Sequence, residues 1–266
     1  MRPFLSLALI GSLSIAALPA LAEPAPSEAQ TAIRAAVASP DRKPEDTARD
    51  IYRHPVETLT FFGVSPTKTV VEIWPAPGWY AEILAPLLHD GGTYIAAEAP
   101  GKAHDALAAL FASDPKRFDK AVLTTLEKGK ASEIAPPGSA DIVLTFRNVH
   151  NFLMAGDAAA AQFFADCYRA LKPGGVLGVV DHHLPEDAAQ EFSGGYVKRS
   201  TIIRLAEAAG FKFDGESEIN ANPKDNHNHP KGVWTLPPVY ALKDADRAQY
   251  QAIGESDRLT LRFVKP

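Results

Sequence analysis

The sequence predicts an α/β domain in which a mostly parallel sheet is covered by helices on both faces. From about residue 64 onward, short apolar strands alternate with helical segments. The strands are near-continuous runs of Val, Ile and Leu, which is typical of parallel strands buried on both sides. Several of the helical segments end at glycine, at Gly91, Gly174 and Gly210, where glycine commonly caps a helix.

The elements follow one another in a regular order. Seven strands are predicted at TVVEIW, TYIAAE, AVLTTLE, DIVLTFRN, VLGVVDHH, FKFDGESEI and RLTLRFVK. The intervening helices are predicted at WYAEILAPLLHD, DALAALFAS, AGDAAAAQFFADCYRALK and SGGYVKRSTIIRLAEAAG. The polar stretch 220–249 is too short to form its own core, and we interpret it as an insertion between the last two strands. One α/β domain, residues 64–266, is therefore predicted.

Two segments precede this domain. Residues 1–22 combine Arg2, an apolar run and the small-residue pattern Ala20-Leu21-Ala22, which together predict a secretory signal peptide and export, most simply to a periplasm. An uncleaved membrane anchor is the alternative. Residues 23–63 predict a helical extension, with a capping box at Ser27 and prolines in the first turns of two later helices. We expect these later helices to cover a pocket.

Composition restricts the class of partner. The chain of 266 residues has a formal net charge of −5 and no basic run, which argues against a nucleic-acid partner. No segment after residue 22 predicts a membrane span. The single cysteine, Cys167, excludes an intramolecular disulfide and fits a buried helical face. A small-molecule substrate is therefore expected; nothing in the sequence indicates an oligomeric state.

Two acids end the first two strands. Glu72 is followed by the turn Trp74 to Gly78, in which Ala76 lies midway and Gly78 allows close approach of a ligand to the backbone. Glu98 comes one strand–helix–strand unit later, where a carboxylate can accept hydrogen bonds from both hydroxyls of a ribose. Ordinary roles, a strand–helix turn and a solvated loop acid, remain open for both.

Polar residues also follow the fourth and fifth strands. Arg147, Asn148 and His150 stand at the end of the fourth strand, and Asp181-His182-His183 ends the fifth. His150 and His182 are candidate general bases. A metal site with Asp181 is a less favoured alternative, and the histidines of DNHNHP, residues 225–230, are expected to be solvated.

Together these pieces resemble the class I S-adenosylmethionine-dependent methyltransferases. The resemblance covers about residues 70–266 and is carried by VVEIWPAPG, the acid Glu98, PPGSADIVLTFRNVHNF, LKPGGVLGVVDHH and AEAAGF. It implies a Rossmann-like, seven-stranded sheet with an antiparallel last strand and S-adenosylmethionine lying across the first two strands. It assigns cofactor binding to Glu72, Trp74, Ala76, Gly78, Glu98, Arg147 and Asn148, and it places the transferred methyl group beside Arg147, Asn148 and His150.

The front segment 41–66 and the EIWPxxGWYxEILAP turn are similar to a narrower bacterial group of exported methyltransferases. The turn departs from the usual acid-x-Gly-x-Gly-x-Gly pattern, because Trp74 and Ala76 replace the first two glycines. Three hypotheses follow. The chain transfers a methyl group to a small molecule, it is an exported non-catalytic binding protein with a remodelled pocket, or it is a different, metal-assisted enzyme.

Overall fold

The computed structural model describes residues 26–266, so the predicted signal peptide lies outside the described residues. The first helix, α1 (Glu28–Val37), begins at the predicted capping box. The Ser27 side chain accepts a hydrogen bond from the backbone of Gln30, and the Gln30 side chain accepts one from the backbone of Ser27. The predicted start of the helical extension is therefore confirmed.

Three short helices follow where two were predicted. They are α2 (Pro44–Thr47), α3 (Asp50–Arg53) and α4 (Pro55–Phe61), and both prolines occupy first-turn positions as expected. His54 separates α3 from α4 in a left-handed conformation with φ of 40°. A residue before proline is disfavoured in the helical region, which explains the additional break.

Nine strands form the sheet, two more than predicted. They are β1 (Thr69–Ile73), β2 (Thr93–Glu98), β3 (Val122–Thr125), β4 (Ala140–Phe146), β5 (Leu171–Leu184), β6 (Phe192–Ser193), β7 (Tyr196–Lys198), β8 (Lys212–Glu216) and β9 (Arg258–Val264). Seven of them run in the order β3-β2-β1-β4-β5-β9-β8. Of these seven strands, only β9 runs in the direction opposite to the other six. This confirms the expected orientation of the last strand.

The two additional strands correct the predicted start of a helix. Residues 193–198 were predicted as helical, but β6 and β7 form a small hairpin there, and β7 pairs with the end of β5 at His183 and Leu184. Gly194 and Gly195 both have positive φ, which suits the hairpin turn and not a helix. The helix itself, α10, begins only at Arg199.

Helices cover both faces of the sheet. The remaining ones are α5 (Ala81–Leu88), α6 (Lys102–Ser113), α7 (Pro115–Phe118), α8 (Val149–Leu153), α9 (Asp157–Ala170), α10 (Arg199–Ala208), α11 (Arg247–Ile253) and a 3₁₀ turn at Gly232–Thr235. Neighbouring residues of one strand belong to different cores: Val70 packs with α4 and α5, whereas Val71 packs with α8 and α9. This confirms the predicted α/β architecture.

The strand directions decide which residues can meet. The parallel strands β1, β2, β4 and β5 all end at one edge of the sheet. Because β9 runs the other way, its first residue, Arg258, lies at that same edge, paired with His182 of β5. The insertion between β8 and β9 therefore returns to the sheet next to the carboxyl ends of the parallel strands. Within residues 26–266, no helix is long and apolar enough to cross a membrane.

Candidate functional site

A cavity of about 360 Å³ opens at the carboxyl edge of the sheet. This is the edge at which open α/β sheets bind ligands, and the volume suits a small molecule. Six of the nine predicted site residues line it: Glu72, Trp74, Ala76, Arg147, His150 and His182. The helical extension supplies Arg49 and Arg53. The front segment thus lines the pocket at two arginines, and the expectation that its helices cover the pocket remains a prediction.

The turn after β1 places an indole over the neighbouring strands. Trp74 has a left-handed backbone with φ of 46°, and its backbone N–H donates to Ala97 at the end of β2. Its Nε1 donates to the carbonyl of Leu126 after β3 at 3.1 Å. Its ring stacks on Phe152 with centroids 4.5 Å apart. The side chain therefore fills the groove above β2 and β3 while one part of it still faces the cavity.

Glu98 lies behind this turn. Its two carboxylate oxygens accept hydrogen bonds from the backbone N–H groups of Ala76, at 2.9 Å, and Ala99, at 2.7 Å. The residue is only 2% exposed. Burial raises the pKa of its carboxyl group, and the two backbone N–H groups oppose that rise. In this conformation Glu98 stabilises the turn, and its predicted contact with a ribose remains a prediction.

Two further predicted cofactor residues also have structural partners outside the cavity. Gly78 has a φ of 107°, and a Cβ atom there would lie 2.4 Å from Leu110 of α6. The positive φ favours glycine here, and the approach of Leu110 adds to that preference. Asn148 is buried, and its Nδ2 donates to the carbonyl of Ile73 at 2.9 Å, which ties the end of β4 to the end of β1.

Glu72 is a buried acid at the floor of the cavity. It is 3% exposed and accepts a hydrogen bond of 2.7 Å from the hydroxyl of Tyr94. Burial raises the pKa of this carboxyl group to about 8, whereas the Tyr94 hydroxyl acts in the opposite direction. At neutral pH Glu72 is therefore largely protonated, and a cationic ligand group nearby would favour its ionised form.

His150 and Asp181 form a buried pair at the cavity wall. His150 Nδ1 lies 2.8 Å from Asp181 Oδ1, and Asp181 also accepts hydrogen bonds from the backbone N–H groups of His150 and His182. With Nδ1 occupied, the Nε2 edge of His150 is the one left for a substrate. This arrangement fixes the imidazole as a carboxylate does in acid–base sites.

His182 lies beside this pair. Its ring centroid is 5.1 Å from that of His150, and its Nδ1 lies 2.5 Å from the Ser256 hydroxyl. Burial, together with His150, holds the pKa of His182 well below its ordinary value, so the ring is neutral at pH 7. His150 and His182 are thus brought together at the cavity, as predicted from the sequence.

His183 faces the other side of β5, as the alternation along a strand requires. Its Nδ1 lies 2.9 Å from Asp257, and His227 Nε2 lies 3.2 Å from the same carboxylate. His229 is almost fully buried against Asp225 at 2.8 Å. The expectation that His227 and His229 belong to a solvated loop is therefore wrong, because His227 contacts Asp257 just before β9 and the His229 side chain is buried against Asp225 within the insertion.

Two groups of side chains have the composition of metal sites. They are His150, Asp181 and His182, and His183, His227 and Asp257, each with its candidate ligand atoms within 4.8 Å of one another. The hydrogen bonds described above already account for the positions of these side chains.

Four arginines surround one acid at the inner end of the cavity. Glu255 Oε1 lies 2.7 Å from Arg49 Nε, and Oε2 lies 3.3 Å from Arg53 Nε and 3.9 Å from Arg147 Nη1. Arg258 also donates to Glu255. Burial by itself raises the pKa of Glu255, but the guanidinium groups, Arg258 foremost, hold it below its ordinary value. We call these four residues the arginine cluster.

Sequence reasoning missed much of this wall. Arg49, Glu255, Ser256 and Arg258 carry no local motif, and only the reversed direction of β9 brings the last three to the site. The insertion contributes Val233, Trp234 and residues 237–239. The one available signal was the apolar run VWTLPP inside an otherwise polar stretch.

Comparisons with known proteins agree with this fold. A family described as "Methyltransferase domain" matches residues 75–179. Residues 75–179 are therefore similar to this family of domains. This match spans the turn after β1, His150 and most of β5, so it covers the sequence-predicted residues better than it covers the arginine cluster. A search of curated proteins finds no matching sequence.

Solved structures share the fold at low sequence identity. A SAM-dependent methyltransferase from Aquifex aeolicus superposes with a TM-score of 0.58 at 13% identity, over 89% of this chain and 98% of that one. The [4+2]-cyclase SpnF gives 0.60 at 12% identity, over 89% and 92%. A geranyl diphosphate methyltransferase in complex with SAM gives 0.51 at 13%, over 88% and 95%. These likenesses confirm the predicted fold.

The residues fit S-adenosylmethionine in part. Glu72 faces the cavity and can accept a hydrogen bond from an ammonium group, which suits the amino-acid end of the cofactor. The nucleoside end, expected over β2, meets the Trp74 indole and a Glu98 carboxylate that is 2% exposed. A ribose can reach Glu98 only after the turn 74–76 has moved.

Proposed function

We propose that the protein transfers a methyl group from S-adenosylmethionine to a small molecule bound in the cavity. The observation that carries this proposal is the buried His150–Asp181 pair at the carboxyl edge of the sheet. His150 lies in the segment 75–179 that matches the methyltransferase family, and Asp181 follows two residues after its end. Fold alone would not support it, since one protein of the same fold is described as a cyclase.

The residues of the site have separate roles in this methyl transfer. When bound, the cofactor supplies an electrophilic methyl group. The His150 Nε2 edge takes the proton of the acceptor, and Asp181 holds the ring and stabilises its charged form. His182 keeps a neutral ring beside it. Glu72 accepts hydrogen bonds from the ammonium group, and Arg147 borders the acceptor. The rest of the rate enhancement comes from positioning the two reactants in line.

Export is a second part of the proposal. The pattern in residues 1–22 supports a signal peptide and a periplasmic location, and the EIWP-type turn supports membership in the narrower exported group. Detecting the processed chain in a periplasmic fraction, with an N-terminus near Glu23, tests this part. Recovery of the unprocessed chain in the cytoplasm would overturn it.

Thermal unfolding of the chain beginning at Glu23 tests the activity. At ligand concentrations about a hundredfold above Kd, S-adenosylmethionine or its demethylated product should stabilise the fold by about 2.7 kcal/mol, a Tm increase of roughly 5–10 °C. Transfer of a radiolabelled methyl group to a small-molecule extract completes the test. No stabilisation at millimolar cofactor would refute methyl transfer.

A second candidate is supported by a specific observation. Trp74 fills the groove above β2, and Glu98 is sequestered by backbone N–H groups, as in a pocket remodelled for another ligand. An exported, non-catalytic binding protein would show no stabilisation by the cofactor and no methyl transfer. The methyltransferase proposal expects the opposite cofactor response and a loss of turnover in His150→Ala.

A further inference from the structure

The arginine cluster leaves positive charge uncompensated inside the cavity. Among the residues that line the cavity, four guanidinium groups face two carboxyl groups, Glu255 and Glu72. With Glu72 protonated at neutral pH, three positive charges remain in excess; with Glu72 ionised, two remain. Guanidinium groups gathered around one carboxylate repel one another, and they do so most strongly where water is excluded. Something other than these acids is needed to balance them.

The arginines are buried well enough to feel this imbalance. Arg53 and Arg258 are each 4% exposed. Burial, followed by the neighbouring arginines, holds the pKa of Arg53 well below its ordinary value and lowers that of Arg147 to about 10. Buried charges that are retained in a fold normally have partners. Here Glu255 is shared among all four, so each guanidinium keeps unused donor capacity.

Two unused donors are buried within the cluster. Arg49 Nη2 and Arg258 Nε are buried and have no hydrogen-bond partner. The surrounding contacts fix these side chains, because Arg258 Nη1 donates to the Tyr52 carbonyl at 3.1 Å and Arg49 Nε donates to Glu255 Oε1 at 2.7 Å. A rigid fork of guanidinium N–H groups matches the geometry of a carboxylate or phosphate.

Part of the cavity wall is apolar. Tyr80 stacks on Phe146 with ring centroids 3.7 Å apart, next to the arginines, and Trp234 and Pro237 of the insertion also line the cavity. An occupant that suits this lining has a negative group for the arginines and an aromatic or otherwise flat apolar body for the rings.

We propose that the cavity recognises its acceptor through a carboxylate or phosphate group bound by the arginine cluster, with an aromatic or apolar body against Tyr80, Phe146 and Trp234. The anion site rests on the charge and geometry of the described residues, and only its assignment to a methyl acceptor rests on the proposed function. The acceptor is thus an anionic small molecule, in contrast to a neutral or cationic one.

Matched probes test the site without knowledge of the natural ligand. Benzoate and phenyl phosphate should bind the chain beginning at Glu23 in calorimetry and raise its Tm, whereas the neutral analogue benzamide should bind at least tenfold more weakly. Arg49→Gln should weaken benzoate binding about tenfold or more, because a charge-assisted hydrogen bond is lost. Arg204→Gln, at an exposed position on α10, is the control and should leave binding unchanged.

A second variant, in which benzoate should have a larger effect, keeps the test decisive if Arg49→Gln merely unfolds the protein. Glu255→Gln removes the internal counter-ion, so it should lower the Tm without ligand but increase the benzoate-induced rise in Tm. Equal binding of benzoate and benzamide would overturn the anion site. So would a benzoate-induced rise in Tm that is the same in the wild type, Arg49→Gln and Glu255→Gln. An adventitious response would be as large in Arg49→Gln as in Arg204→Gln.

The cofactor's own carboxylate is the other source of the same chemistry. The demethylated product carries that carboxylate, whereas methylthioadenosine lacks it. If Arg49→Gln weakens only the product and leaves benzoate unaffected, the acceptor proposal is wrong. If benzoate binds and neither nucleoside does, the anion site stands and the methyltransferase proposal fails. The two failures are therefore distinguishable.

Discussion

Replacing Glu72 by Gln should stabilise the protein at neutral and alkaline pH. The pKa of this buried carboxyl group is raised to about 8 from an ordinary 4.5, with burial as the largest cause. Tyr94 and the arginines Arg53 and Arg147 oppose the rise, and Glu98 adds to it. Gln retains an oxygen that can accept the Tyr94 hydrogen bond but cannot ionise. The substitution therefore isolates the cost of the buried acid.

The sign and size follow from proton linkage. Between pH 4.5 and 8 the folded state holds a proton that the unfolded state has released, so stability is highest below pH 4.5 and falls as pH rises towards 8. Each pH unit in this window costs about 1.4 kcal/mol. The accumulated loss is about 3 kcal/mol at pH 7 and about 4 kcal/mol at pH 8, as orders of magnitude. Glu72→Gln should remove this slope.

Urea unfolding at pH 5.5, 7 and 8.5 measures the difference. The gain in unfolding free energy of Glu72→Gln over wild type should grow steadily across these three values. Glu45→Gln makes the same chemical change at an exposed position and serves as the control. A constant difference between Glu72→Gln and wild type at all three pH values would refute the raised pKa.

The same linkage predicts a functional signature. A ligand ammonium group prefers the ionised form of Glu72, so its binding releases a proton below pH 8. The affinity for the demethylated cofactor product should therefore rise between pH 6 and 8 in the wild type, and this rise should be lost in Glu72→Gln. Calorimetry in buffers of different ionisation enthalpy would count the released proton directly.

Three further outcomes are expected. Asp181→Asn should lower turnover by about 10²–10⁴-fold and alter the pH–rate profile, because the orientation of His150 is lost. Stabilisation by the demethylated product should persist, because ligand binding is retained. Unchanged turnover would contradict the assignment of His150 as the base. Gly78→Ala should destabilise the fold by about 3 kcal/mol in urea, from positive φ and the 2.4 Å approach of Leu110, whereas Gly138→Ala meets no neighbouring atom and should cost less. Cofactor binding should change the tryptophan fluorescence of the wild type but much less that of Trp74→Phe, since the turn must move to expose Glu98.

The sheet could be predicted because burial on both faces leaves a strong local pattern. Val70, Val71 and their counterparts in β2, β4 and β5 form apolar runs bounded by turn residues, and those runs map onto the observed strands. The hairpin β6–β7 was missed because its strands are two and three residues long and join directly onto α10. A pattern that short has no periodicity to read.

The candidate site could be predicted only where its residues lie at the end of a recognisable strand. Glu72, Arg147, His150 and His182 each lie at or just after such an end, so their convergence follows from parallel topology. Arg49 and Glu255 are 206 positions apart, and nothing local to either indicates the contact. The roles of Trp74 and Glu98 depend on where an indole and a carboxylate point, which the turn sequence alone does not determine.

The position of the arginine cluster bears on how this protein could be redesigned. Residues 75–179, which match the methyltransferase family, supply His150, and Asp181 follows directly after them, but Arg49, Arg53, Trp234 and Arg258 come from the flanking segments. The His150–Asp181 pair and three of the four arginines are thus encoded in separate stretches of chain. Exchanging residues 44–63 together with 220–258 should retarget the pocket to a different acceptor, whereas grafting residues 72–182 alone would carry the His150–Asp181 pair without those three arginines.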